Sequence, residues 1–348
     1  MIPIAEANSL GLSADPRIII GLKIFGFWLH MVFMNLWLVG IPTGLVLWKF
    51  REDISKRLFK LMPFFMAFGI NAGVVPLLFI QTLYGQQFYS ATILQAWFWF
   101  SVIPLLCIAY YAIYLVSSGY YRVLAGTVAF LLIAWIGLNF SSAMTLAADS
   151  TQWDVAFQQT TTGGAVHGTY FLVTPEVLFR YGIMIGLGLL TTAAFLSLDA
   201  EFLGKSHYQS APKNTVFLLT VLGLAVFGLS GYRYQPYILE HISANIRWFT
   251  GFLTVGMGAI GLLYSVIPNR LWAGVFSLGQ LGVLLMNAIV RQIGQTSKIG
   301  GFERLAQMPT RGETLAVIIF FLTLLAGLAV IGWIGKIVVW RIHEPYQH

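Results

Sequence analysis

The chain has 348 residues, of which 58% are hydrophobic and only 9% are charged. This composition excludes an ordinary soluble domain, in which about 25% of residues are charged. The net charge of +7 does not indicate a nucleic-acid partner, because membrane proteins concentrate Lys and Arg in their cytoplasmic loops.

Long apolar stretches follow one another along the whole chain, and each is long enough to cross a bilayer, which takes about 20 apolar residues. They predict an all-α, polytopic integral membrane bundle in which residues 1–348 form a single membrane domain. Pro42, Pro76 and Pro104 fall inside predicted helices and Pro16 precedes the first one. The nine transmembrane helices are predicted near residues 18–47, 62–84, 93–116, 124–146, 177–198, 215–232, 248–267, 271–290 and 314–338.

The distribution of basic residues predicts how the bundle is oriented. Cytoplasmic loops carry the excess of Lys and Arg, and the connection after the first predicted helix contains five of them. The long fourth connection, residues 147–176, has none. The N-terminus is therefore predicted outside and the C-terminus in the cytoplasm, in a bacterial-type inner membrane. The eighth connection departs from the rule, which predicts that it is buried or faces an acidic partner; its basic residues are Arg291, Lys298, Arg304 and Arg311.

Few ionisable residues fall inside the predicted helices. None of the 13 Asp and Glu residues does so, and His30 is the one histidine placed deep in a helix. An imidazole nitrogen can bind haem iron, so His30 is a candidate haem ligand, with Met34 one turn away. The alternative, a histidine that only makes a hydrogen bond between helices, remains open. The missing acids weaken the hypothesis of an ion-coupled transporter.

A second group of candidates lies at the predicted outer surface. Residues 231–248 mix tyrosines, a proline and opposed charges, and a quinone site needs hydrogen-bond partners, an aromatic wall and a route for protons. Alternatively, these residues only anchor the loop at the membrane interface, where Tyr and Trp accumulate. The candidates for a quinone site or a partner interface are Arg233, Glu240, His241 and Arg291, and Arg180 and Arg247 are candidates for binding the cofactor.

The arrangement resembles subunit I of cytochrome bd quinol oxidases, a family with nine helices and an outside N-terminus. The resemblance is carried by His30, by the segment Phe68–Val74 (FGINAGV), by Arg247 and by Ser265–Arg270 (SVIPNR). It also includes Asn139 near the end of the fourth helix and Pro175 at the start of the fifth. The family's function implies b-type haem, quinone and partner subunits.

The chain departs from the family at most positions that would hold haem. Gln81 and Gln95 stand where the resemblance implies glutamates, which makes them candidate cofactor-binding residues. Ile183 and Phe249 stand where it implies haem ligands. The family's glutamate-containing segment in the eighth helix is reduced to Gln292–Gln295. Amides do not titrate and Ile and Phe cannot bind iron, so we do not expect oxygen reduction.

We therefore expect a membrane subunit of a respiratory electron-transfer complex that holds a quinone or one b-type haem near the outer face. Its expected partners are other membrane subunits and a periplasmic cytochrome c, and whether it belongs to an enzyme complex stays open. A second hypothesis is a scaffold that binds no cofactor and anchors other subunits. A solute transporter is a weaker third hypothesis, because no internal repeat is visible.

Overall fold

A computed structural model describes residues 11–311 and 314–343, and this part of the chain is almost wholly α-helical. Nine helices in it are long and apolar enough to span a membrane, which agrees with the predicted number. The helices are α1 (Pro16–Leu47), α2 (Glu52–Leu83), α3 (Gly85–Leu94), α4 (Ala96–Ser117), α5 (Arg122–Ala148), α6 (Trp153–Thr160), α7 (Pro175–Leu198), α8 (Lys213–Tyr234), α9 (Ala244–Val266), α10 (Arg270–Lys298), α11 (Gly301–Ala306) and α12 (Thr314–His343).

The sequence explains where several helices begin. Asp15 caps α1 by accepting a hydrogen bond from the Arg17 amide at 2.7 Å, and Pro16 occupies the first turn, where a missing N–H costs nothing. Thr174 and Asn269 cap α7 and α10 in the same way. Between α6 and α7 lies a two-stranded hairpin, β1 (Thr161–Thr162) and β2 (Ala165–Val166).

Helices α1 and α7 are the most buried spans and form the centre of the bundle. Helix α1 packs along α2, α7 and α10, and α7 also packs along α8. By contrast, α4 and α12 expose large apolar side chains, such as Ile103 at 72% and Leu322 at 62%. In water such surfaces would be unfavourable, so this pattern fits helices that face lipid.

The structure corrects several predicted helix ends. Helix α2 begins at Glu52, ten residues before the predicted start, so most of the basic first connection is helical. The connection between α2 and α4 contains the short helix α3. Helix α10 continues to Lys298, so Arg291 and Lys298 lie in a helix and not in the eighth connection.

The prediction that no carboxylate lies within a span was also wrong, because the span that contains α7 runs from Pro175 to Leu203 and includes Glu176, Asp199 and Glu201. Asp199 directly follows α7, in a π-helical turn at Asp199–Leu203, and its side chain is fully buried. It accepts two hydrogen bonds from Arg57 of α2, from Nε at 2.8 Å and from Nη2 at 2.7 Å. The hydroxyl of Tyr208 donates a third at 2.8 Å. Pairing with Arg57 makes burial of this acid tolerable, because a lone buried charge is very costly.

Candidate functional site

A cavity of about 700 Å³ lies between α1, α7, α8, α9 and α10. It is closest to the end of the bundle where α1, α7 and α9 begin and where α8 and α10 end. A cavity of this size is in the range that binds small ligands. Its walls are mainly apolar, and they include Ile24, Phe27, Met31, Ile183, Leu187 and Phe227.

Five basic residues line this cavity. Lys298 is paired with Glu176, and we call the other four the cationic cluster: Lys23, Arg180, Arg247 and Arg291. With a rise of 1.5 Å per residue, each lies within about 10 Å of the nearest end of its helix, measured along the helix axis. The helix ends concerned belong to the same end of the bundle. Residues that are up to 268 positions apart in the sequence are thus brought to one level of one cavity.

Lys23 is the most buried member of the cluster, with 5% of its surface exposed. Its Nζ donates to Oε1 of Gln295 at 2.6 Å and lies 4.8 Å from the centre of the Tyr84 ring. Burial raises the pKa of Tyr84, so its hydroxyl stays protonated at neutral pH. A small hydrogen-bonded network with Gln292 and Thr296 holds this ring in place.

The arginines of the cluster are held by neutral groups. Arg180 donates to the hydroxyl of Thr145 at 2.6 Å and to the carbonyl and hydroxyl of Ser141. Arg291 stacks on Phe27, with 4.5 Å between the guanidinium carbon and the ring centre. Among the described residues, no carboxylate pairs with either arginine. Both therefore keep their charge available to a ligand.

One carboxylate lines the cavity among the described residues, and it already has a partner. Glu176, at the start of α7, accepts a hydrogen bond from Nζ of Lys298 at 2.6 Å. Both side chains are largely buried, with 14% and 18% exposed. The pair ties α7 to the end of α10 and leaves the cationic cluster uncompensated.

The deeper part of the cavity ends at Asn35, about 18 Å along α1 from Lys23. Asn35 donates from Nδ2 to the hydroxyl of Thr191 at 3.2 Å, while its Oδ1 is buried without a hydrogen-bond donor. Because Thr191 donates its own proton to the carbonyl of Leu187, it can only accept from Asn35. Oδ1 of Asn35 is therefore free to accept a hydrogen bond from a hydroxyl group or a water in this part of the cavity.

His30 belongs to α1, and its side chain packs against α2. It is not among the residues that line the cavity. Its Nδ1 is 2.7 Å from the carbonyl oxygen of Gly69. A carbonyl only accepts, so Nδ1 carries the proton, and Nε2 makes no hydrogen bond with a described residue. The ring occupies the space next to Gly73, where a Cβ atom would lie 2.7 Å from Nδ1. His30 thus makes a hydrogen bond between helices, as in the alternative hypothesis, while the haem-ligand hypothesis stays a prediction.

The predicted outer candidates separate into two groups. Arg180, Arg247 and Arg291 line the cavity, whereas Arg233, Glu240 and His241 do not. Arg233 and Glu240 are exposed, and Nδ1 of His241 lies 3.0 Å from the hydroxyl of Ser297. Arg247 donates to the carbonyl of Ile242 at 3.0 Å, which ties the loop before α9 to the cavity wall.

The two glutamines that replace the expected glutamates also lie outside the cavity. Gln81 accepts a hydrogen bond from the Tyr89 hydroxyl at 3.1 Å. Gln95 is fully buried where α3 meets α4, and it donates from Nε2 to the hydroxyl of Ser142 at 2.5 Å. Both therefore connect neighbouring segments at the same end of the bundle.

Sequence reasoning missed Lys23, Asn35 and the Glu176–Lys298 pair. Lys23 could have been found, because an ionisable residue inside an apolar helix is a functional candidate by default. The other three gain importance only through their neighbours in space.

Comparisons with protein-family models and with curated proteins gave no match for this chain.

Proposed function

We propose that this chain is an integral membrane subunit of a respiratory electron-transfer complex and that it binds a quinone in the cavity between α1, α7, α8, α9 and α10. The observation that carries the proposal is the cavity itself, whose apolar walls end in a cluster of hydrogen-bond donors. A quinone has the matching shape, with an apolar tail and a head whose carbonyl oxygens accept hydrogen bonds. The resemblance to bd quinol oxidase subunit I supports the same class of ligand.

The proposed orientation places the N-terminus outside and the C-terminus in the cytoplasm of a bacterial-type inner membrane. The support is the asymmetry of basic residues, because Lys49, Arg51 and Lys56 lie at the end of the bundle opposite the cavity. In this orientation the cationic cluster lies near the outer face. A quinone there would be close enough to exchange electrons with a periplasmic cytochrome c or with a second membrane subunit.

A haem fits the residues of the cavity less well than a quinone does. Among the described residues, the lining of the cavity includes methionines and tyrosines but no histidine and no cysteine. The methionine that binds haem iron in cytochromes c does so together with a histidine. The His30 ring contacts Gly69 and Gly73 of α2 and is not among the residues that line the cavity. Since His30 is the histidine on which the haem prediction rests and it does not line the cavity, we assign haem no step in the proposed function.

The test is equilibrium binding of a neutral probe, a 2-methyl-3-alkyl-1,4-naphthoquinone, to the full chain in nanodiscs. Gly251 lines the cavity on α9, and Gly256 lies on the same helix outside the cavity; a Cβ atom at either position meets nothing within 4 Å. We expect saturable binding that Gly251→Phe weakens at least about tenfold, which corresponds to 1.4 kcal/mol. Gly256→Phe is the matched control and should bind as the parent chain does.

Two results would count against the quinone proposal. If the chain binds no more naphthoquinone than empty nanodiscs do, it is not a quinone-binding protein. If both phenylalanine variants weaken binding equally, the quinone does not bind in this cavity. Both variants lose the same glycine flexibility and gain the same ring, so a difference between them reports the location alone.

A cofactor-free scaffold is the second candidate function. The observation that favours it is α12, whose described side chains are exposed along its length, including Leu315 at 70% and Trp333 at 64%. Such a helix could contact another membrane subunit. Purified complex that lacks both quinone and haem, while it retains its other subunits, would favour the scaffold.

A further inference from the structure

We infer that the ligand of this cavity carries a full negative charge on its polar head, held between Arg291, Lys23 and Arg180. The inference rests on the proposed function for the place of binding, and it adds the chemical class of the ligand. The class is an anionic amphiphile, an apolar body with an acidic head. Either a quinone with an acidic ring hydroxyl or a lipid with a carboxylate head supplies this chemistry.

The charge of the lining is the first argument. Five cations and one carboxylate line the cavity among the described residues, and the carboxylate, Glu176, is paired with Lys298. The four members of the cationic cluster have no acidic partner within the described part of the chain. Lys23 is buried and the three arginines are partly buried. A buried charge without a partner is costly, so a ligand that neutralises the cluster gains affinity.

The neutral contacts of the cluster do not replace that partner. The amide of Gln295 and the hydroxyl of Thr145 satisfy hydrogen bonds of Lys23 and Arg180, but they carry no charge. Arg291 stacks on the face of Phe27 and makes no hydrogen bond or ion pair with another described residue. It lines the same cavity as Lys23 and Arg180, and like charges repel one another. An anion placed among the three would attract each of them and so offset their mutual repulsion.

Basic residues near the end of a membrane helix usually extend to the interface, where water solvates them. Two members of the cluster do not have this freedom. Hydrogen bonding to Gln295 keeps Lys23 inside the bundle, and stacking on Phe27 keeps Arg291 over the cavity. A planar guanidinium that is fixed in this way can bind two oxygens of a carboxylate or of a deprotonated hydroxyquinone side by side.

The test compares three ligands with equal alkyl chains on the full chain in nanodiscs. The first is a 2-methyl-3-alkyl-1,4-naphthoquinone, which is neutral, and the second is its 2-hydroxy counterpart, which is anionic at neutral pH. The third is a fatty acid, which has the charge but no quinone ring. We expect the hydroxyquinone to bind at least about tenfold more tightly than the methylquinone, because hydrogen bonds to an ionised partner are the stronger ones.

The substitution Arg291→Gln tests the location of the charge effect. It should reduce the preference for the hydroxyquinone to less than about threefold, whereas Arg304→Gln, at an exposed arginine on α11, should leave it unchanged. The comparison of ligands on the parent chain needs no variant, so it decides the inference even if Arg291→Gln fails to fold.

The outcomes separate the inference from the proposed function. Equal or tighter binding of the neutral methylquinone overturns the inference and leaves the quinone site standing. If the fatty acid binds and neither quinone does, the anionic class is supported and the quinone proposal fails. If none of the three binds, both fail.

Discussion

Replacing Asp199 by asparagine should strongly destabilise the folded protein. The change keeps the shape of the side chain but removes the negative charge. In the parent chain that carboxylate accepts two hydrogen bonds from Arg57, at 2.8 and 2.7 Å. Only 2% of the arginine side chain and none of the carboxylate is exposed, so water does not screen the loss. Removing one partner of a buried pair leaves the other charge uncompensated, which costs about 3–5 kcal/mol.

The assay is the free energy of unfolding, measured by denaturant titration in mixed detergent micelles. The matched control is Glu52→Gln, which breaks the pair with Lys56 on the same helix, where both side chains are more than half exposed. Exposed pairs of this spacing contribute about 0.3–0.5 kcal/mol. The double substitution Arg57→Met with Asp199→Leu should recover much of the loss, because no lone charge remains. A change of less than about 1 kcal/mol for Asp199→Asn would refute this reasoning.

Three further predictions concern the packing of the same bundle. Tyr208→Phe should cost about 1.5–3 kcal/mol of unfolding free energy in the same titration, because the hydroxyl donates to a buried carboxylate and burial raises the pKa of Tyr208 well above its usual value; an unchanged midpoint would contradict it. Burial and the nearby Arg57 lower the pKa of His207 from 6.5, so its contribution to stability is present above that pH and is lost as the pH falls. Unfolding titrations from about pH 7.5 to 5.5 should show this slope, and His207→Gln should reduce it; identical slopes would exclude the histidine. Gly73→Ala should destabilise by about 1–3 kcal/mol, because its Cβ would lie 2.7 Å from Nδ1 of His30; full stability would show that the imidazole is free to move.

The helical architecture was predictable because each apolar run is a local property of the sequence. The ends of the helices were less so, and α2 shows why. Its first turns, from Glu52 to Lys60, carry many charges and look like a loop. They are helical because Glu52 and Asp53 occupy the first turn, where negative charge is favourable, and because Arg57 finds its partner 142 residues further along.

The cavity was only partly predictable for a related reason. Arg180, Arg247 and Arg291 were visible as basic residues near predicted helix ends, but each alone fits a side chain that extends to the interface. Their convergence with Lys23 depends on how five helices pack, and no local pattern contains that information. The role of His30 likewise depends on Gly69 and Gly73 of the facing helix.

The most direct test of the proposed quinone site is a density map of the protein purified from its native membrane. We predict density for a ring and an apolar chain between α1, α7 and α10, with the ring next to Arg291 and no iron bound to His30. A cavity filled by lipid chains alone, or an iron atom bonded to the free nitrogen of His30, would contradict the proposal.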